Sequence, residues 1–233
     1  MPNGLHLKLL SIETSSDGCS AALYLDGVVT EQFEIAPRGH GQLILAMVDR
    51  LLIDAGLSKS QLDGLAFGCG PGAFTGVRIA TSVIQGIAFG LDLPVAAVSS
   101  LATLAQGAYR RSKYTHIASV VDARMGEVYW GHYFYDEVRQ CMLPCADERV
   151  CPPDALVIDG KEHVSWFGAG SGWQVYRDEL LAQYVDKLQL FDDQCRPQAQ
   201  DVALLAVDVF NQGQQLAPEQ ALPVYLRDNV VRV

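Results

Sequence analysis

A glycine-rich segment contains the residues of this sequence that are best suited to binding a ligand. Gly70, Pro71, Gly72 and Gly76 lie between a predicted buried strand and a predicted helix. Glycines at such a junction let the backbone approach a bound group closely, and the start of a helix offers unpaired N–H donors to an anion. The segment lacks the Gly-x-x-x-x-Gly-Lys-Ser/Thr pattern, and no lysine occurs between residues 60 and 112. The sequence therefore predicts either a phosphate loop without its lysine or a tight structural turn.

Two carboxylates follow predicted strands in corresponding places of the two halves. Glu13 directly follows the first strand and precedes Thr14, and Asp122 directly follows the first strand of the second half. Such a pair could hold a hydrated Mg²⁺ ion, because Mg²⁺ prefers carboxylate oxygens and retained waters. The segment Asp122–Glu127 is also compatible with a hairpin turn that contains an internal ion pair. Without a lysine to bind phosphate, the pattern favours structural or partner-facing roles.

No motif for metal binding or nucleophilic catalysis accompanies these carboxylates. The histidines form neither His-x-x-x-His nor His-Glu-x-x-His, and the closest two in sequence are His116 and His132. Ser171 is out of register for Gly-x-Ser-x-Gly, and Cys69 has no histidine near it in sequence. We therefore expect no catalytic residue, no metal site and no cofactor in this chain.

Strands and helices alternate in the first half, and these elements position the residues above. An apolar period of 3.6 residues from Gln42 predicts a helix that ends near Gly56, and a second helix follows the glycine-rich segment to about Phe89. The predicted strands of this half are Leu7–Ile12, Cys19–Leu25, Val28–Ile35, Leu65–Phe67 and Pro94–Val98.

The second half repeats this order in looser form. Strands are predicted at Ile117–Val121, Glu127–Tyr135, around Val138–Leu143 and at Val164–Phe167. Helices are predicted after Pro152-Pro153, from near Trp173 and at Val202–Phe210, before an extended tail at Pro223–Arg227. Phe67–Gly72 and Phe167–Gly172 both read Phe-Gly-x-Gly-x-Gly, 100 positions apart. We therefore predict two similar α/β lobes.

The predicted helix after the glycine-rich segment is apolar around most of its circumference. No charged residue occurs between Ile79 and Leu91, which indicates burial on more than one side. Ser82, Gly86 and Gly90 recur every four residues and form a ridge without bulky side chains. A glycine inside a helix costs about 1 kcal/mol relative to alanine, so we expect a packing reason. The pattern fits a helix buried within its own fold or a protein–protein surface, and it favours the surface.

The composition is that of an acidic globular chain. Its 233 residues include 17 basic and 27 acidic side chains, which give a net charge of −10 and a pI near 4.8. An acidic surface repels phosphate backbones, so unaided tight binding of RNA or DNA is not expected. The sequence begins without a signal-peptide pattern, and no uncharged apolar run is long enough to span a bilayer. Six cysteines without a Cys-x-x-Cys pair indicate reduced thiols, and we expect a cytoplasmic protein with no membrane partner.

Four segments of the sequence resemble the TsaB (YeaZ) family. They are Leu9–Ser15, Gly70–Ile79, Val121–Tyr129 and Pro223–Arg227. These segments occur in the family's order, and their Gly-Pro-Gly-x-Phe-Thr-Gly-x-Arg and Asp-Ala-Arg-x-Gly-Glu patterns are highly specific. The resemblance implies an α/β fold of the ASKHA (actin-like, RNase H-like) type with two similar βββαβα-type lobes. An N-terminal lobe, residues 1–100, would carry the partner-binding helices, and a more divergent C-terminal lobe, residues 101–233, would end in a helix and an extended tail.

The resemblance also implies a role in making N6-threonylcarbamoyladenosine (t6A) on the adenosine 3′ of the tRNA anticodon. In that system TsaD carries out the transfer, TsaE is an ATPase, and TsaB holds TsaD in its working form. TsaD has a His-x-x-x-His metal motif where this chain places Ser100 and Leu104, and neither side chain can replace imidazole as a metal ligand. The implied protein is a non-catalytic subunit that pairs with a TsaD-like paralogue, or with a second copy of itself when alone. It would work with a TsaE-like ATPase and meet tRNA only through the complex.

The family's pairing surface uses its first two helices, which implies interface residues on both helices here. They are Leu43, Met47, Leu51, Gly76, Ile79, Ala80, Val83, Gly86 and Ile87. The residues interpreted as remnants of a nucleotide loop are Glu13, Thr14, Gly70, Pro71, Gly72 and Asp122. Two alternatives stay open: an ASKHA-type ATPase or phosphotransferase that uses Glu13 and Asp122, and a peptidase that acts on TsaD.

Overall fold

The computed structural model describes residues 7–158, 164–184 and 187–227. The first half of the chain contains β1 (Lys8–Glu13), β2 (Gly18–Leu25), β3 (Val28–Ile35), α1 (His40–Asp54), β4 (Gly64–Gly70), α2 (Phe74–Leu91) and β5 (Val95–Ser99). The rest contains α3 (Ser100–Ser112), β6 (His116–Arg124), β7 (Glu127–Asp136), β8 (Cys141–Pro144), β9 (Arg149–Cys151), β10 (Trp166–Ala169), α4 (Gly172–Val175), α5 (Arg177–Tyr184), β11 (Leu188–Asp192) and α6 (Ala199–Asn211).

The first sheet has the strand order β3-β2-β1-β4-β5. Strands β1, β2 and β3 pair antiparallel, whereas β4 lies parallel to both β1 and β5. Because β1 and β4 are parallel and Ile12 pairs with Phe67, the carboxyl ends of both strands meet at one edge. The topology therefore places Glu13 beside Gly68.

The second sheet follows the same scheme, with the strand order β11-β10-β6-β7-β8 and β9 paired to β7. Strands β6 and β7 are antiparallel, and β10 lies parallel to β6. Each Phe-Gly-x-Gly-x-Gly segment thus begins on a strand parallel to the first strand of its sheet. Within the two segments Gly70 and Gly170 adopt nearly equal φ angles, 103° and 107°. These features confirm the predicted α/β fold with two similar lobes.

The first sheet is covered by helices on both faces. Alternation along β1 turns Leu10 and Ile12 towards the core formed with α1 and α2. On the other face the Ser11 hydroxyl donates to the carbonyl of Ala199 in α6 at 2.8 Å. A Cβ at Gly64 would lie 2.2 Å from the ring of Phe210, so this glycine leaves the space that α6 occupies.

The chain forms two compact units. The first contains the described residues up to Thr103 together with Pro197–Pro223, and the second contains Leu104–Arg196 together with the described residues from Val224. The division predicted after residue 100 lies close to the boundary between the two units at Thr103. The helix α6, however, belongs to the first unit, whereas the prediction assigned it to the C-terminal lobe. The apolar face of α6 packs on strands of the first sheet, which lie a hundred residues or more earlier in the chain. Because this contact joins distant segments, no local pattern in the sequence indicates it.

Several elements of the second half differ from the sequence-based expectation. Helix α3 and strand β11 were not predicted. The sequence nevertheless contains a start signal for α3, because the hydroxyl oxygen of Ser99 accepts the backbone N–H groups of Leu101 and Ala102. After Pro152 the chain forms one 3₁₀ turn, Pro153–Ala155, where a helix was predicted. The strand predicted from Val138 begins only at Cys141.

Candidate functional site

The end of β1 carries a fully buried carboxyl group. Glu13 has no exposed surface, and its Oε1 accepts the backbone N–H of Ser15 at 2.5 Å. Its Oε2 accepts the hydroxyl of Ser100, the first residue of α3, at 3.3 Å. A Cβ at Gly68 would lie 1.8 Å from this same oxygen. Glu13 therefore fills the space beside β4 and connects the end of β1 to the start of α3.

Burial shifts the titration of this carboxyl group. Loss of solvent raises the pKa of Glu13 above its usual value, and hydrogen bonds from Ser15 and Ser100 oppose that rise in part. Hydrogen-bond donors surround the group, which is the compensation that a buried carboxyl group requires.

The glycine loop, Gly68–Gly76, packs directly on the β1 segment, Glu13–Ser15. The Thr14 hydroxyl donates to the carbonyl of Gly76 at 2.7 Å, and Ala73 donates its N–H to the carbonyl of Ser15 at 2.7 Å. A Cβ at Gly76 would lie 1.9 Å from the Thr14 carbonyl oxygen, and one at Gly72 would lie 2.6 Å from the Ser15 carbonyl oxygen. These glycines allow close packing of backbone on backbone.

The same loop contains a cis peptide bond between Gly70 and Pro71. Pro71 is buried. The residues predicted as nucleotide-loop remnants in the first unit, Glu13, Thr14, Gly70, Pro71 and Gly72, are therefore brought together, and contacts within the chain fill the space between them.

The region aligned with the His-x-x-x-His motif contains no imidazole. Ser100 and Leu104 are both buried in α3, and the Ser100 hydroxyl is directed at Glu13. Among the residues that the structure describes, no three His, Cys, Asp or Glu side chains are close enough to hold a metal ion.

Asp122 lies in the second unit, at the end of β6. Its Oδ1 accepts the backbone N–H of Arg124 at 2.9 Å and the hydroxyl of Tyr176 at 3.4 Å. Its Oδ2 pairs with the Arg124 guanidinium at 3.0 Å. Burial, and secondarily the Asp122 carboxylate, raise the pKa of the Tyr176 hydroxyl, so it keeps the proton that it donates. The hairpin with an internal ion pair, one of the two predicted readings of Asp122–Glu127, is therefore present.

The predicted interface residues fall into three groups by exposure. Met47, Leu51, Gly76 and Ala80 are buried in the first unit, and Ala80 has no exposed surface at all. Half-buried residues at the border of this core are Leu43, Ile79, Val83 and Ile87. Gly86 is exposed. A partner cannot reach Ala80, because the stripe that contains it packs on β4.

An open ridge runs along the outer side of α2. Ser82, Gly86 and Gly90 are exposed, and an added Cβ at either glycine would meet no atom of the described residues within 4 Å. Phe89 on α2 and Leu45 on α1 are also exposed, at 60% and 51%. Neither residue is among the interface residues predicted from the sequence, although both are large apolar side chains outside the buried stripe of their helices.

The helix α2 is longer than the uncharged run of the sequence, which was judged too short to span a bilayer. The helix has 18 residues and a mean hydropathy of 1.3, so it is long and apolar enough to cross a membrane by these two measures. Ile84 and Ala88 lie in the core of the first unit, and 33% of the helix is buried there. A core helix of a globular unit has this same composition.

The architecture defines the class of protein. Two similar α/β lobes, each with a parallel strand that leads through a glycine turn into a helix, constitute an ASKHA-type fold, as predicted. A family model described as "TsaD: tRNA N6-adenosine threonylcarbamoyltransferase" matches residues 11–233.

Relatives and solved structures give the family more narrowly. A protein of Escherichia coli (strain K12) named "tRNA threonylcarbamoyladenosine biosynthesis protein TsaB" is 40% identical over 226 residues, 96% of each chain. The protein of the same name from Haemophilus influenzae is 36% identical over 97% of this chain and 95% of its own. The solved structure of YeaZ from Pseudomonas aeruginosa has a TM-score of 0.85 and 43% identity, covering 94% of this chain and 100% of that one. The chain belongs to the TsaB (YeaZ) family.

Proposed function

We propose that this chain is a non-catalytic subunit in the biosynthesis of t6A on tRNA. In this proposal it binds a TsaD-like catalytic paralogue, works with a TsaE-like ATPase, and meets tRNA only within the complex. Alone, it pairs with a second copy of itself through the same surface. The names of its relatives support the pathway, and the two features below support the role. A cytoplasmic location follows from the same proposal.

The observation that carries the proposal is the open ridge of α2. Two glycines in the interior of a helix cost about 1 kcal/mol each relative to alanine. Among the described residues, none packs against the position of a side chain at Gly86 or Gly90, so packing within this part of the chain does not require a glycine at either place. A ridge without side chains lets a second helix approach closely, and the half-buried Val83 and Ile87 offer apolar contacts beside it. We therefore propose the outer side of α2 and the adjoining residues of α1 as the partner surface.

The glycine loop supports the absence of catalysis. A phosphate group would need the loop's N–H donors and the space above its glycines, but Ala73 N–H is bonded to Ser15 and that space is filled by the β1 segment. A metal-dependent transfer would need imidazole ligands, and the aligned positions hold Ser100 and Leu104. We propose that the loop is retained because it holds the start of α2 in place.

A binding experiment tests the partner surface. Ser82→Arg places a long charged side chain on the ridge and Val83→Arg places one beside it, and we expect both to abolish co-purification with the TsaD-like paralogue. Val28→Arg is the matched control, since Val28 is 67% exposed on β3 of the same unit. Ala80→Arg is unsuitable because it would disrupt the core. Undiminished binding by both ridge variants, with folded circular dichroism spectra, would refute the surface.

Reconstitution of tRNA modification tests the role. Purified paralogue and ATPase, supplied with tRNA, ATP and threonylcarbamoyl-AMP as the donor, should form t6A and release AMP only when this chain is added, and Ser82→Arg should abolish the effect. The enzyme alternative predicts instead that the purified chain hydrolyses or transfers phosphate at enzymatic rates and loses this activity in Glu13→Ala. That result would replace the proposed function with a phosphotransferase.

A further inference from the structure

The first sheet ends on one side in a long strand with an open edge. The strand β3 is terminal in this sheet and pairs along its eight residues with β2, without a register shift. Among the described residues, no strand pairs with its other side. At the opposite end of the sheet, by contrast, Leu216 extends β5, since its N–H and carbonyl groups bond to Val95 at 2.8 and 2.9 Å. The strand β3 is therefore the edge at which this sheet can accept another strand.

The hairpin turn fixes which backbone groups of β3 face this open edge. Asp26 and Gly27 form a two-residue loop with φ angles of 51° and 98°, so the residues on either side of it, Leu25 and Val28, are the first hydrogen-bonded pair. Hydrogen-bonded and non-hydrogen-bonded pairs then alternate along an antiparallel ladder. Every second residue from Val29 consequently directs its N–H and carbonyl groups away from β2.

The strand has few of the features by which edge strands avoid pairing. Short length, proline, bulges and charged side chains, above all lysine, are the common protections. The eight residues of β3 include two glutamates but no proline and no lysine, and its ladder with β2 contains no bulge. Apolar side chains are also exposed along it, with Val28 at 67%, Phe33 at 38% and Ile35 at 46%. A strand added here would bury part of that apolar surface.

The charge at this edge has one sign. Glu31 and Glu34 are the charged residues of β3, and no lysine or arginine occurs in β2, in β3 or in α6, which packs on both strands. The Glu31 carboxylate accepts the backbone N–H and the side-chain amide of Gln200, and these two bonds add no opposing charge. Arg38, the first basic residue after the strand, lies beyond its end. The edge therefore attracts positive charge.

The sign of this charge selects the occupant. Antiparallel pairing with β3 of a second copy would bring glutamates of both strands together without a counter-charge, and such like-charge pairs are destabilising. The phosphates of RNA are repelled for the same reason. An extended protein segment that carries lysine or arginine, with apolar side chains beside Phe33 and Ile35, suits both the charge and the backbone groups of the edge.

We infer that β3 is a docking edge for an extended basic segment of a second protein partner, which adds to the five-stranded first sheet as a further strand. Glu31 and Glu34 are three positions apart, so their side chains lie on opposite faces of the sheet. The segment therefore carries basic residues on both faces, with apolar residues between them. This edge and the ridge of α2 are different surfaces of the first unit, and the inference does not depend on the proposed function.

A defined peptide tests the inference on the full-length chain. The probe has the length of β3 and consists of valine and threonine with lysines at two positions three apart, and calorimetric titration measures its binding. Wild type should bind this lysine peptide and should not bind the same peptide with glutamates in place of the lysines. Glu34→Lys should weaken binding of the lysine peptide about fivefold, since a repulsion replaces an attraction, and should gain affinity for the glutamate peptide.

Glu219→Lys is the matched control for this charge reversal. Glu219 is exposed in a short 3₁₀ turn of the same unit, outside β2, β3 and α6, and its replacement changes the net charge by the same amount. It should leave the affinity for both peptides unchanged. An equal loss in Glu219→Lys and Glu34→Lys would show that the peptide responds to the overall charge of the chain, and the docking edge would be refuted.

Backbone pairing distinguishes a docked strand from charge attraction alone. Ile35→Pro removes an N–H group that faces the open edge and leaves the ladder with β2 in place, so it should weaken binding of the lysine peptide about fivefold, as expected for the loss of one hydrogen bond. Binding should also slow amide exchange at Phe33 and Ile35 in wild type. Exchange at Gln32 should not change, because its N–H is already bonded to β2.

The remaining outcomes identify the other occupants. Equal affinity of wild type, Glu34→Lys and Ile35→Pro for the lysine peptide, with folded circular dichroism spectra, would overturn the inference. Loss of peptide binding in Ser82→Arg would do the same, because the peptide would then occupy the ridge of α2. If Ser82→Arg still forms a dimer in sedimentation and Ile35→Pro abolishes that dimer, a second copy occupies the edge and the inference is wrong.

Discussion

Gly76→Ala should destabilise the first unit, although alanine is the better helix former. The added Cβ would lie 1.9 Å from the Thr14 carbonyl oxygen, whereas a carbon and a carbonyl oxygen normally approach to roughly 3.3 Å. Both groups are close to main chain, so no flexible side chain can move aside. The glycine loop would have to separate from the β1 segment by more than an ångström.

The cost follows from the contacts that this separation breaks. The hydrogen bonds Thr14–Gly76 and Ser15–Ala73, both 2.7 Å, would be lost, at about 1 kcal/mol each. Overpacking adds about 1–3 kcal/mol, and the helix propensity of alanine returns at most about 1 kcal/mol. We expect a net loss of about 2–4 kcal/mol of unfolding free energy.

Gly86→Ala is a control in the same helix. It introduces the same methyl group where no atom of residues 7–158, 164–184 or 187–227 lies within 4 Å, so we expect a gain of up to about 1 kcal/mol. Urea unfolding followed by far-ultraviolet circular dichroism measures both variants against wild type. If Gly76→Ala proves as stable as Gly86→Ala, the loop is not packed on the β1 segment, and the argument for a closed nucleotide site fails.

Two further predictions concern buried groups. Glu13→Gln should gain stability relative to wild type as pH rises. The folded pKa of Glu13 lies above its usual value of 4.5, so the folded state binds more protons and wild type loses stability as pH rises from 4.5 through that raised pKa. Urea unfolding of both proteins at a series of pH values measures this, and parallel curves would contradict it. Gly64→Ala should destabilise the first unit because its Cβ would overlap the ring of Phe210, and Phe210→Leu should restore part of the loss in the double variant; additive losses would show that α6 does not pack there.

Periodic patterns determined most of the first half. The strands predicted at Cys19–Leu25 and Val28–Ile35 are β2 and β3, and the 3.6-residue period predicted α1, because burial of one helix face requires apolar residues at regular spacing. The strands and helices occur within a few residues of the predicted bounds. In the second half the periodic pattern of apolar residues is weaker. The helix α3 was not predicted there, although Ser99 is a helix-start signal in the sequence.

The apolar pattern of α2 predicts a helix but does not show which of its residues are buried. Its even apolar composition indicated contact on more than one side, but it could not separate inner from outer residues. Ala80 and Gly86 read alike in sequence, yet one is fully buried and the other is exposed. Only the packing of α2 on β4 makes that distinction.

The sequence by itself determined the α/β class, the duplicated glycine motif and the absence of metal-ligand and phosphate-lysine patterns, since each depends on residue types at short spacing. The tertiary structure decided how the glycine loop is used. The contacts of Glu13 with Ser100 and of Thr14 with Gly76 span 87 and 62 positions, and no local pattern encodes them. The same holds for α6 in the first unit and for the ion pair between Glu127 and Arg227. Such contacts arise only when segments distant in sequence become neighbours in the folded chain.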